Sequence, residues 1–123
     1  MAIIKTLLIL QNTLIQKKKV CFIEKNSYNK KLLEVFISLG MLTFDNNTVK
    51  YKVVISNSCL KNNVRFKIEL KKSKKKNWSY TKIFKNTQKT TTVFLFETSF
   101  GFLTQNVMLK RQLGGVLVCS ISF

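Results

Sequence analysis

The stretch ETSFGFLTQNVMLKRQLGGVLVC, residues 97–119, holds the side chains best suited to chemistry. Thr98 and Ser99 bring hydroxyls that both donate and accept hydrogen bonds. Gly101, Gly114 and Gly115 are three of only four glycines in a chain without proline. A residue without Cβ lets the backbone approach a ligand closely or take positive φ. Lys110 and Arg111 lie between the glycines and can pair with phosphate. Hydroxyls, open backbone and cations together suit contact with the phosphates, sugars and base edges of a nucleic acid. The plain alternative is that the glycines merely turn the chain between strands.

Catalysis is not expected. The chain has no histidine, and its five acids, Glu24, Glu34, Asp45, Glu69 and Glu97, are scattered. A general acid–base pair needs two carboxyls with separated pKa values, and a metal site needs clustered ligands. No phosphate-binding glycine loop appears. Cys21, Cys59 and Cys119 lie far apart among apolar neighbours, with no histidine to activate a thiolate, and read as small core residues. No cofactor, metal or small-molecule substrate is implied.

Charge points to the partner. Twenty-two Lys and Arg face five acids in 123 residues, a net charge of +17. A compact domain repels itself at that charge unless something anionic neutralises it. Nucleic acid is the first such partner and an anionic membrane surface the second. The lysine run at 71–76 reads as a phosphate-contacting turn, or as a solvated one. Twenty of the cations are lysine, and Asn, Ile and Phe are abundant, a skew that fits an AT-rich coding genome.

These residues need elements to hold them. Residues 3–15 repeat Ile4, Leu7, Leu8 and Leu14 at helical spacing, an amphipathic helix too short to span a bilayer. Val20 and Phe22 alternate as in a short strand. Asn26 or Ser27 can cap a second helix carrying Tyr28, Leu32, Val35, Phe36 and Leu39, with Gly40 at its left-handed end. Asn46–Asn47 separates two strands, the second alternating through Val49, Tyr51, Val53 and Ile55. Beyond residue 57 the patterns are mostly strands: VRFKIELKK, WSYTKIF, TTTVFLFET and GVLVCSISF, with TQNVMLKRQL a short helical turn. The expected fold is α+β, an N-terminal α-β-α-β-β half (residues 1–57) followed by a β-rich C-terminal half (58–123) that carries the candidate nucleic-acid contacts.

The last quarter resembles the bacterial-type small-subunit ribosomal protein S-eight family. That family closes with Ser-Thr-Ser-Lys-Gly-Val-Met-Thr, a polar stretch, then Gly-Gly-Glu and an apolar strand containing Cys. Thr98, Ser99, Gly101 and Thr104 match the first block; Leu113, Gly114, Gly115 and Cys119 match the second. LKKSKKKNWSY is similar to the family's basic turn, with Ser73, Lys74 and Tyr80 in register, and Asn12 stands where its first helix ends in Arg-Asn. EKNSYNKKLLEVFISLGML resembles its second helix. Departures are Glu97 for the first Ser, Phe100 for Lys, Lys75–Lys76 for Pro-Gly, Ile9 and Gln11 for arginines, and Val116 for Glu.

The resemblance implies a structural constituent of the small ribosomal subunit that binds the central domain of its rRNA and supports assembly and translation. RNA contacts would come from Asn12, Ser73, Lys74, Tyr80, Thr98, Ser99, Gly101, Thr104, Lys110, Arg111, Gly114 and Gly115. Partners would be small-subunit rRNA and neighbouring ribosomal proteins, without membrane insertion. The AT-rich skew, the divergence and the lack of a transit-like N-terminus make a mitochondrion-encoded product the expectation, with plastid or bacterial cytoplasm as alternatives. The competing reading is a cationic protein held to a membrane surface by helix 3–15.

Overall fold

The computed structural model describes residues 2–46, 49–61, 64–70, 76–87 and 91–122. The architecture is α+β, with five helices and eight strands among the described residues and two antiparallel sheets. The chain divides into two compact units, Met1–Val64 and Arg65–Phe123. A short helix, Asn57–Lys61, occupies the stretch where the sequence places the join and falls within the first unit.

The first unit runs α1 (Ala2–Ile15), β1 (Val20–Ile23), α2 (Ser27–Ser38), β2 (Leu42–Asp45), β3 (Tyr51–Ile55) and α3 (Asn57–Lys61). Its sheet has the order β1-β3-β2. α2 begins as expected: the Asn26 side chain accepts from the Asn29 amide at 2.7 Å. It ends with Gly40 at φ +75°, where a glycine avoids the Cβ penalty.

Side-chain faces differ from the periodicity in four places, the first being α2, where Tyr28 is exposed and Leu33 is buried in its stead. On α1 the buried row is Thr6, Leu7, Leu10 and Thr13, while Leu8 is 45 % exposed. The two threonines are tolerated because their hydroxyls are bonded. Thr6 donates to Asn29 Oδ1 (2.9 Å) and Thr13 to the Ile9 carbonyl (2.7 Å). Asn29, itself buried on α2, donates to the Glu24 carbonyl at 2.9 Å. On β1 the inward residues are Cys21 and Ile23, opposite Val53 and Tyr51, so Phe22 faces outward. Val49 lies before β3 and is almost fully exposed.

The second unit runs β4 (Arg65–Ile68), β5 (Asn77–Trp78), α4 (Tyr80–Thr87), β6 (Val93–Thr98), β7 (Gly101–Thr104), α5 (Gln105–Arg111) and β8 (Gly115–Ser122). The sheet order is β4-β8-β6-β7, with β5 also on β8. WSYTKIF is not a strand: after the short β5 it enters α4. Ser79 turns the chain, its carbonyl accepting from the Ile83 amide (3.0 Å) and its hydroxyl from that of Lys82 (3.3 Å). Ile83 then joins Phe96, Met108 and Leu117 in a buried cluster. α5 is a full helix of seven residues. Gln105 at its start acts as a piece of strand: its side-chain amide accepts from the Phe94 amide and donates to the Thr92 carbonyl, both at 2.8 Å. These bonds continue the β7 edge past Thr104, where main-chain pairing to β6 ends.

Candidate nucleic-acid interface

Four strand ends of the second unit meet in a row. Trp78 on β5 pairs with Gly115 on β8, and Thr98 on β6 pairs with Gly101 on β7. Gly115 and Thr98 are adjacent, since a Cβ on Gly115 would stand 2.9 Å from Thr98 Cγ2. Gly114 lies against the β5–α4 corner, and α5 ends with exposed Lys110 and Arg111 just before it. The register thus gathers Tyr80, Thr98, Ser99, Gly101, Lys110, Arg111, Gly114 and Gly115 toward one end of the sheet.

The β6–β7 turn is built by its own side chain. Thr98 Oγ1 donates to the Gly101 carbonyl and accepts from the Phe100 amide, each at 3.0 Å. Ser99 and Phe100 keep negative φ, and the left-handed position falls on Gly101 at φ +100°. That combination is a non-primed turn resolved by a glycine at the strand start. The Thr98 hydroxyl is therefore committed to the turn, and the groups displayed at its tip are the Ser99 hydroxyl and the Phe100 ring, 65 % exposed.

The glycines answer first to the fold. The expectation that all three mark backbone open to a ligand is corrected for the pair. A Cβ on Gly114 would sit 2.8 Å from the Trp78 carbonyl, and one on Gly115 would sit 3.0 Å from the Glu97 carbonyl and from Met108 Cε. Both leave room for neighbouring backbone. Gly101 has open space around it and is a glycine because of its φ.

Glu97 follows Phe96, whose side chain packs beneath α4 and α5, so strand alternation puts the carboxylate on the opposite face. Its directly opposed neighbours are Phe102 and Val116. The second unit contains twelve Lys and Arg and only two acids. The other acid, Glu69, is buried and clasped by Lys76 (2.7 Å) and Lys67 (3.3 Å). Burial pushes its carboxyl up, but the two ammonium groups, Lys76 foremost, outweigh this and hold it below the ordinary range. Neither acid is exposed here, whereas Glu24, Glu34 and Asp45 of the first unit all are.

Other expected residues stand apart. Thr104 is the half-buried N-cap position of α5 and makes no side-chain capping bond. Asn12 is exposed on α1, in the first unit. Ser73, Lys74 and the rest of the run 71–75 lie outside the described residues; on either side of them the Leu70 amide donates to the Val118 carbonyl and the Lys76 carbonyl accepts from the Leu117 amide. The sequence did not single out Lys82, whose ammonium stands 4.8 Å over the Trp78 ring at the same corner. Its i+4 spacing to Trp78 was legible only once the segment is known to turn into a helix.

The three cysteines are buried. Burial pushes the Cys119 thiol far up, with Glu69 adding to it, and burial also raises Cys21. Neither is poised as a nucleophile. Among the described residues no group of three potential ligands could hold a metal, and no helix is long and apolar enough to cross a membrane. No family model matches the chain, and no curated protein matches it.

Proposed function

We propose that this protein is an RNA-binding structural constituent of the small ribosomal subunit, contacting the central domain of its rRNA and lying beside other ribosomal proteins, in a mitochondrion. The observation that carries the reading is the row of strand ends in the second unit. There the Thr98–Gly101 turn, Gly114 and the last turn of α5 converge, Lys110 and Arg111 stand exposed beside them, Glu69 is buried and Glu97 is half-buried. The two C-terminal blocks of the resemblance to the S-eight family fall on these same positions. An irregular RNA helix exposes backbone and unpaired base edges that such a rim fits. The membrane reading is less well supported, because Leu7 and Leu10 of α1 are packed inside the first unit and are not available to lipid.

The test is direct. Purified protein should bind small-subunit central-domain RNA with an affinity that falls linearly in log–log plots against salt, and should co-sediment with small subunits. Binding to anionic vesicles with no binding to RNA would replace this reading with the membrane one. RNA binding without co-sedimentation would keep the chemistry and remove the ribosome.

A further inference from the structure

We propose that the Tyr80–Phe84 ring pair on α4 is a stacking platform for an unpaired nucleobase, extending the rim from Tyr80 along the helix to Phe84; the proposal rests on the RNA-binding reading above. α4 buries Ile83 and Thr87, the latter bonded through its hydroxyl to the Ile83 carbonyl at 2.6 Å. Tyr80 and Phe84, four residues apart, share a flank of the helix. Their ring centroids are 6.2 Å apart at 41°. Phe84 remains 44 % exposed, while Tyr80 is half-buried. One exposed Phe is unremarkable in a protein surface. The chemistry around this pair is what selects its partner.

Residues 77–87 contain no acid and two lysines, Lys82 and Lys85, both exposed. Lys82 is held over Trp78 at the start of the helix, on the flank opposite the ring pair. A protein partner would have to bring both an apolar contact and carboxylates. Single-stranded RNA carries π faces and phosphates together along one chain, and aromatic residues set beside cations are how such strands are held. Phe84 lies about 6 Å along the helix axis from Tyr80, which itself begins at the Gly114 corner. A strand crossing the rim at that corner therefore comes within about one helical turn of Phe84.

The experiment uses the whole chain and a single-stranded oligouridylate, with a blunt RNA duplex as the second probe. Phe84→Ala should weaken oligouridylate binding roughly 5- to 100-fold, the span of one lost base stack. Phe84→Tyr should retain binding, and Phe84→Leu should lose it like Phe84→Ala, since area without a π system does not stack. Binding to the duplex should be unchanged. Crosslinking of 5-iodouridine-substituted RNA should map to Phe84, a readout that needs no variant. Wild-type-like oligouridylate binding by Phe84→Ala, or crosslinks only elsewhere, overturns the platform while leaving the rim intact. Full binding by Phe84→Leu overturns stacking in favour of a simple apolar contact. Failure of the unaltered protein to bind either RNA removes the underlying reading instead.

Discussion

The two units treat charge in opposite ways. The first carries ten lysines against three acids, and all three acids are exposed among those lysines. The second is more basic, yet one of its acids is buried under two lysines and the other lies half-buried on the sheet face away from the helices. Exposed carboxylates soften the field of the first unit, and their withdrawal leaves the second presenting cations with little offset. Local potential, rather than net charge alone, concentrates an anionic ligand at one surface. The difference is the reason the proposed nucleic-acid surface is put on the second unit of a uniformly basic chain.

The largest effects come from the two cores. Leu33→Ala in the first unit and Ile83→Ala in the second each remove a fully buried side chain and should each cost about 2–5 kcal/mol in denaturant unfolding. At a temperature where both variants stay folded, only Ile83→Ala should lower RNA affinity, because it undermines α4. Equal affinity losses would erase the division between the units.

Gly115→Val should follow, at about 1–3 kcal/mol, since the new side chain meets the Glu97 carbonyl and displaces Thr98. Its RNA affinity should drop with the turn. Normal stability in this variant would mean the strand ends are looser than their register implies.

A smaller, matched pair sharpens the comparison. Gly40 and Gly101 both take positive φ with open space around them. Alanine at either should cost about 1 kcal/mol through backbone strain alone. Melting temperatures should therefore fall alike, while RNA affinity should fall only for Gly101→Ala. An affinity loss in Gly40→Ala of the same size would place RNA on the first unit too.

The smallest effect concerns acid. Glu69 titrates below its ordinary value of 4.5, so its contribution to stability is present above that pH. It is lost as pH falls through the lower folded-state value. Glu69→Gln should flatten acid unfolding in that window and change little near neutrality beyond the loss of the clasp. An unchanged acid limb would show that Lys67 and Lys76 do not hold the carboxylate in solution.

Much of the first unit was legible because its signals are local. Asn26 caps and Gly40 terminates α2 through bonds within a few residues, and Tyr51, Val53 and Ile55 alternate as a strand must. The faces of α1 and β1 were not legible. Leu8 and Phe22 are as apolar as their buried neighbours, and only the bonds available to Thr6 and Asn29 decide that two polar side chains go inside. In the second unit WSYTKIF carries aromatic and β-branched residues that favour strands. It becomes helical because Ser79 caps it and the cluster of Phe96, Met108 and Leu117 takes Ile83.

By itself the sequence determined an α+β chain, strongly basic, without histidine and with a motif of hydroxyls and glycines near its end. Those properties belong to composition and short-range pattern, and no folding is needed to read them. Only the tertiary structure decided what the motif residues do. Cross-strand register turned Gly114 and Gly115 into spacers against neighbouring backbone and committed the Thr98 hydroxyl to its own turn. It also left Ser99 and Phe100 as the displayed groups and set Lys82 over Trp78. The physical reason is that an exposed or occupied hydrogen-bonding group is defined by what packs beside it, and those neighbours come from strands far apart in the chain.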